Sequence, residues 1–315
     1  MFKLSVQILT SDKLDGYCAA AIVARFLKMK VRNYSIVFFD FEKKNEIIEN
    51  LLKEQKNTII VLDIPFDEFA KKELFEALAR NQNKLYYWNT HNKSSIESTE
   101  IIKKSCKHAQ YDEHMCAAMQ AQIFFQKRDR ISRKLGEIAQ DHEFWLQKKR
   151  TAKKLADLVA SGYDKRKLIE EFSKGIIWTP DMNQLYQEYL EKKEHKLRTM
   201  LKNMTVKEYP VSIGYVQIGN ISKSEAGHFL CVNGKLELIA MFSDDGKVAF
   251  RKKKDSTVDL SALALLFNGG GNINASGGRI NMKEINKDNF EKAISTTHEK
   301  IEKFFEVANA KEITT

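Results

Sequence analysis

Four groups of polar residues have the types and placement to do chemistry: Ser11-Asp12-Lys13-Leu14-Asp15-Gly16, Asp63, Asn89-Thr90-His91-Asn92 and Asp141. The first three stand where the first, third and fourth of a series of short apolar runs end, and Asp141 follows a helical stretch over 131–140. If those runs are parallel strands, their carboxyl ends form the edge where open α/β sheets bind ligands. A single aspartate after a strand is often only a helix N-cap. Several on one edge of one sheet point to a site. A second constellation joins Arg251-Lys252-Lys253 to Asn268-Gly269-Gly270-Gly271-Asn272. Glycines let backbone N–H groups come close to phosphate or sugar, and a guanidinium offers the fork that phosphate oxygens fit. The plainer reading is a tight helix-to-strand connection, which rarely needs three consecutive glycines.

The elements that must position these groups follow from periodicity. Runs at 5–11, 35–41, 58–64 and 84–90 are short and β-branched or aromatic, and helical patterns intervene at 18–27, 46–53 and 68–79. This βαβα order predicts a parallel, twisted sheet covered on both faces. From Met115 to about Met204 the pattern is helical, over 116–125, 131–140, 151–160 and 183–204, and the last stretch carries enough charge to be a solvated helix between two lobes. After Pro210, strands are predicted at 211–219, 236–242 and 247–253, with Asp244-Asp245-Gly246 as a hairpin turn. A helix over 260–267, the glycine cluster, a strand over 279–285 and a final helix over about 290–307 complete an α+β second domain. There is no internal repeat.

Composition limits the classes of function. In 315 residues, 52 Lys and Arg against 42 Asp and Glu give a net charge of +10, and 43% of residues are hydrophobic. Length and composition predict a globular protein of about two domains. No apolar run is long enough to span a membrane, and Met1-Phe2-Lys3-Leu4-Ser5 lacks the order of a secretory leader, so the expected location is cytoplasmic. Cys18, Cys106, Cys116 and Cys231 form no CxxC pair, which argues against a disulfide framework or a structural zinc and for small buried hydrophobes. Three prolines and no low-complexity stretch leave at most the residues after Ala310 as a disordered tail. The positive excess suits an acidic partner or simply a lysine-rich surface.

The order of Asp15-Gly16, Leu62-Asp63, Asn89-Thr90-His91, Asp141 and the C-terminal glycine cluster resembles the DHH phosphoesterases. That family includes the RecJ exonucleases, the oligonucleotide-degrading nanoRNases and the archaeal GINS-associated nuclease. The likeness covers nearly the whole chain. It is strongest over Val248-Ala249-Phe250-Arg251, the stretch 258–267 and Asn268-Gly269-Gly270-Gly271-Asn272-Ile273-Asn274-Ala275-Ser276-Gly277, which are similar to the family's arginine strand, helix and GGGGHxxAAG loop. The resemblance implies an α/β protein: a parallel-sheet DHH domain over 1–180, a bridging helix over 181–205 and a smaller α+β, DHH-associated nucleic-acid-binding domain over 206–315.

The family's first motif reads HxDxDG. Its histidine and two aspartates, with the aspartate of motif two, the DHH triplet and a fourth aspartate, hold two Mn²⁺ or Mg²⁺ ions. Here Ser11 stands at the histidine position and Lys13 at the first aspartate, while Asn89 and Thr90 open the triplet. Asp15, Asp63, His91 and Asp141 remain. A two-metal site needs several anionic and imidazole ligands around ions about 3.5–4 Å apart. An ammonium beside Asp15 and Asp63 competes with a divalent ion. The resemblance therefore implies at most one Mg²⁺ or Mn²⁺ on Asp15, Asp63 and Asp141, and otherwise no cofactor. His91, whose family counterpart touches the scissile phosphate, either binds an anion or hydrogen-bonds a neighbouring loop.

Basic runs at 127–134, 148–154 and 251–254 are by default solvated faces, and Arg251 is the cation best suited to a phosphodiester. Phe250 and Phe267 are expected in the core, and His108, His114 and His142 lack ligand spacing. The expected function is a RecJ-like protein that binds single-stranded DNA or RNA through a degenerate site, as a replication or repair scaffold beside GINS and MCM. The alternatives are an active metal-dependent single-strand exonuclease or oligonucleotide phosphodiesterase, and a small-molecule phosphoesterase.

Overall fold

The computed structural model describes residues 6–28, 34–53, 55–69, 71–91, 93–219 and 221–312. Ser5, Asn92 and the N-terminal residues read for a leader lie outside the described residues. The chain divides into two compact units, Met1–Tyr189 and Leu190–Thr315.

In the first unit, β1 (Val6–Thr10), α1 (Leu14–Lys28), β2 (Tyr34–Phe38), α2 (Lys44–Lys53), β3 (Thr58–Leu62), α3 (Lys72–Arg80), β4 (Lys84–Trp88), α4 (Ile96–Ser105) and β5 (His108–Gln110) alternate. The strands pair in parallel in the order β2-β1-β3-β4-β5. The order reverses at β1, so its carboxyl end and that of β3 flank a topological switch point, where ligands bind in such sheets. Apolar, β-branched strands such as Thr58-Ile59-Ile60-Val61-Leu62 are buried because helices cover both faces, and separate apolar clusters fill the two sides. α1 is buried along most of its length, and its alanines at 19, 20, 21 and 24 let neighbouring helices close in. Those neighbours are α5 (Ala117–Phe125), α6 (Arg130–Glu143), α7 (Arg150–Ala160) and α8 (Lys165–Lys174). α9 (Pro180–Lys202) runs across the division between the units.

The second unit is a mixed six-stranded sheet of order β10-β11-β9-β8-β7-β6. Its elements are β6 (Thr205–Lys207), β7 (Ile213–Gln217), α10 (Lys223–Asn233), β8 (Leu238–Phe242), β9 (Lys247–Lys252), α11 (Leu260–Leu265), β10 (Gly270–Asn272), β11 (Ala275–Arg279) and α12 (Phe290–Glu312). β7 and β8 are parallel and the other pairs antiparallel. The strand expected at 279–285 is corrected to β11, which ends at Arg279. The glycine cluster is itself the edge strand of a hairpin, with a turn closed by Asn272 Oδ1, which accepts from the amides of Asn274 (2.9 Å) and Ala275 (3.0 Å). Pairing of β10 with β11, and of β11 with β9, imposes extended backbone on residues of poor strand propensity, a tertiary override of local preference. α12 continues through Glu312, beyond the point where a tail was expected. Among the described residues, no helix is long and apolar enough to cross a membrane.

Candidate functional site

The β1–α1 turn brings Ser11 under the end of β3. It is tight: a Cβ on Gly16 would lie 2.4 Å from Ser11 Oγ, so only glycine fits. The Ser11 hydroxyl donates to Asp63 Oδ2 in a short hydrogen bond, and the Asp63 amide donates to the Trp88 carbonyl at 3.0 Å. Asp63 holds φ at 56°, a region that non-glycine residues seldom occupy and that concentrates at functional sites. Asp15 is fully buried, and its two carboxylate oxygens accept from the amides of Ala117 (2.8 Å) and Ala118 (2.7 Å). These are first-turn donors of α5, which have no acceptor within their own helix. An anion there also meets the positive end of the helix dipole.

Burial, and then the charge of Glu143, pushes Asp15 up to about 6. Burial, and then the charge of Asp15, holds Asp63 well above the usual carboxylate range, against the Ser11 hydrogen bond. Glu143 completes this carboxylate cluster, and nothing in the sequence singled it out. α6 runs one turn beyond the stretch whose periodicity was clear, so Asp141 lies inside the helix and Glu143 follows in its last turn.

The other candidate residues have different surroundings. Asn89 is fully buried; its carboxamide accepts from the Phe66 amide at 3.1 Å and donates to Ser94 Oγ at 3.1 Å. Thr90 is buried beside it. His91 packs on Phe144, ring centroids 4.8 Å apart, with Nδ1 3.8 Å from Glu143 Oε2, too far for a direct hydrogen bond. Asp141 Oδ1 accepts from the Lys148 amide at 2.9 Å. Lys13 is exposed, and no ion pair among the described residues joins it to Asp15 or Asp63. Its charge is a minor influence opposing the upward shift of Asp63.

In these contacts the carboxylates of Asp15, Asp63 and Asp141 do not converge as ligands of one divalent ion. Among the described residues, no three His, Cys, Asp or Glu side chains are grouped to hold a metal. The physical reason is that Asp15 turns both oxygens to α5 and Asp141 turns one to the following loop. A hard cation needs several oxygens converging on one point, and this donor set does not fit one.

The second unit holds a different kind of site. A cavity of about 490 Å³ lies over β9 and β11, lined by Arg251, Lys247, Arg279, Lys223 and the glycines of the hairpin. Register explains the hollow. Arg251 pairs with Ala275, Ala249 with Gly277 and Lys247 with Arg279, so one face carries small residues in the middle and cations around them. On α10, Gly227 makes room for the arginine, since a Cβ there would lie 2.7 Å from Arg251 Cβ. Arg251 donates through Nη1 to the Phe250 carbonyl (2.8 Å) and through Nη2 to Ser224 Oγ (3.3 Å), while its buried Nε has no hydrogen-bond partner. Burial also lowers its pKa. Asp245 pairs with Lys247 and, at 3.8 Å, with Arg279. Among the described residues, no carboxylate pairs with Arg251 or Lys223.

Gly270 and Gly271 line this cavity; Gly271 has φ 143°, and Gly269 and Asn272 flank them in the hairpin. Lys252 does not join them. It projects to the opposite face, where Nζ donates to the Val258 carbonyl at 2.7 Å, and Lys253 is exposed beyond the strand end. Lys223, Ser224, Gly227 and Arg279 were not legible as site residues, because only sheet register and the docking of α10 bring them to Arg251.

No protein-family model matches the chain, and no curated protein matches it. Solved structures do. The chain is similar to exonuclease RecJ bound to manganese, with a TM-score of 0.58 at 10% identity over 94% of this chain and 89% of that one. It is similar to PggH from Vibrio cholerae, a pGpG-specific phosphodiesterase, with a TM-score of 0.53 at 12% identity over 94% and 99% of the two chains. An uncharacterized protein from Helicobacter pylori G27 matches at 18% identity and a TM-score of 0.41, over 93% of this chain and 98% of that one. The chain thus shares the α/β fold of exonuclease RecJ and of PggH. In this chain the parallel-sheet unit precedes the glycine-hairpin unit.

Proposed function

We propose that this protein binds the phosphodiester backbone of single-stranded nucleic acid in the Arg251 cavity, and that its parallel-sheet unit does not carry out two-metal hydrolysis. One observation carries the reading: a half-buried guanidinium with no carboxylate partner among the described residues and an unpaired Nε faces a hollow of small residues. An anion would offset the desolvation that Arg251 bears here, and a phosphate oxygen matches its fork. Asp15 and Asp63 support the second half, since both oxygens of Asp15 are committed to amides and Oδ2 of Asp63 to a hydroxyl. The resemblance alone supports a scaffold role beside GINS and MCM, which co-purification with those proteins would test.

Fluorescence anisotropy with short single-stranded DNA and RNA across a salt titration tests the binding. Arg251→Ala is expected to weaken affinity for every sequence and to reduce the salt slope by about 1. Unchanged affinity and slope would remove the reading. Degradation of the strand with Mn²⁺, abolished by Asp63→Ala, would restore the exonuclease alternative. A second reading rests on the finite volume of the cavity, about 490 Å³, which suits a dinucleotide such as the substrate in PggH's name. Affinity that stops rising beyond two nucleotides would favour it.

A further inference from the structure

The loop after α6 has features that the carboxylate cluster does not explain. Trp145 and Leu146 are adjacent and exposed, at 48% and 44%. Trp145 and Gln147 both hold positive φ, 52° and 57°, a conformation that bulky side chains rarely adopt. The loop is nonetheless fastened: the Trp145 amide donates to the His142 carbonyl at 3.2 Å, the Leu146 amide to the Asp141 carbonyl at 2.9 Å and the Lys148 amide to Asp141 Oδ1 at 2.9 Å. Asp141, which stands where the resemblance placed a metal ligand, thus holds this loop in shape.

Cations follow directly. Lys148, Lys149 and Arg150 are all exposed, and Lys149 alone of them is paired among the described residues, with Glu137 at 2.9 Å. Single exposed hydrophobics are ordinary on a protein surface. An indole held out on a fastened, strained loop, next to two uncommitted cations, is a different arrangement. Its chemistry is that of single-strand binding sites, where aromatic rings stack on bases and nearby cations follow the backbone.

We propose that the loop from Trp145 to Arg150 is a contact site for single-stranded nucleic acid, with a base stacked on the Trp145 indole and phosphates met by Lys148 and Arg150. This rests on the nucleic-acid reading above and adds a site on the first unit. The charge of the loop matches a polyanion, and its aromatic ring gives preference for a strand with exposed bases over a duplex or a bare polyphosphate.

The test compares a short oligothymidylate with an abasic strand of the same length, using the full chain. Trp145→Ala is expected to weaken oligothymidylate binding by roughly tenfold and to leave the abasic strand unaffected. Trp145→Phe keeps most of the affinity. Of the other two tryptophans, Trp88 is fully buried and Trp178 is half-buried against Tyr186 and Lys154, so quenching of tryptophan emission by oligothymidylate is expected to be reduced in Trp145→Phe. If Trp145→Ala binds oligothymidylate as tightly as the parent while Arg251→Ala binds it weakly, this site is wrong and the cavity reading stands. If the parent binds neither strand at low salt, both fail.

Discussion

The Ser11 hydroxyl donates to the Asp63 carboxylate across the adjacent ends of β1 and β3, at the switch point of the parallel sheet. The resemblance to the DHH phosphoesterases implied an imidazole and a bridging carboxylate at these positions. Here a neutral hydroxyl meets a buried acid whose pKa is raised by burial and by the neighbouring Asp15. The hydroxyl satisfies one oxygen of this acid.

Stability should fall as pH rises through the titration of this cluster. Asp15 and Asp63 have folded pKa values above the unfolded value of 3.8, with Asp15 at about 6. Between the unfolded and folded values the folded chain binds more protons, so unfolding becomes easier as pH increases. Thermal melts should give a lower Tm at pH 8 than at pH 6. Asp63→Asn, which removes the ionisation, should raise Tm at pH 8 and change it little at pH 5.

Asp15→Ala should cost about 2–4 kcal/mol in urea denaturation, because it leaves the buried amides of Ala117 and Ala118 without an acceptor. Asp141→Ala should cost less, about 1 kcal/mol, since a single amide on an exposed loop loses its partner and water can replace it.

Mn²⁺ or Mg²⁺ should not raise Tm, and chelation should not lower it. A ligand that binds only the folded state stabilises by mass action, so a clear upward shift with Mn²⁺, lost in Asp63→Ala, would show that the carboxylates rearrange to hold an ion.

Neighbouring residues of β9 should separate cleanly. Gly227→Ala should weaken nucleic-acid binding about as much as Arg251→Ala, because the new methyl displaces the arginine from its base upward. Lys252→Ala should leave binding unchanged and lower stability by about 1 kcal/mol, through loss of its bond to the Val258 carbonyl. Anisotropy and denaturation on the same preparations measure both.

Much of the architecture is legible in local pattern. The apolar runs of β1, β3 and β4 and those of β7 to β9 are short, β-branched or aromatic, and turn residues bound them. The position of Asp63 follows from that alone. β10, β11 and α10 were not legible. Glycine, asparagine and serine carry no strand signal, and the hairpin exists because β9 offers it backbone partners.

The residue types themselves determined that the chain would alternate strand and helix and that glycines would follow Arg251, and the resemblance to the DHH phosphoesterases implied Ser11, Lys13, Asn89 and Thr90 at metal-ligand positions. Only tertiary structure decided what those residues do. Asp15 becomes a helix-capping acid because α5, a hundred residues on, brings its first amides to it. Arg251 faces a cavity and Lys252 does not because strand register assigns alternate side chains to opposite faces. Both outcomes come from long-range backbone pairing and helix docking, which no local stretch of sequence encodes.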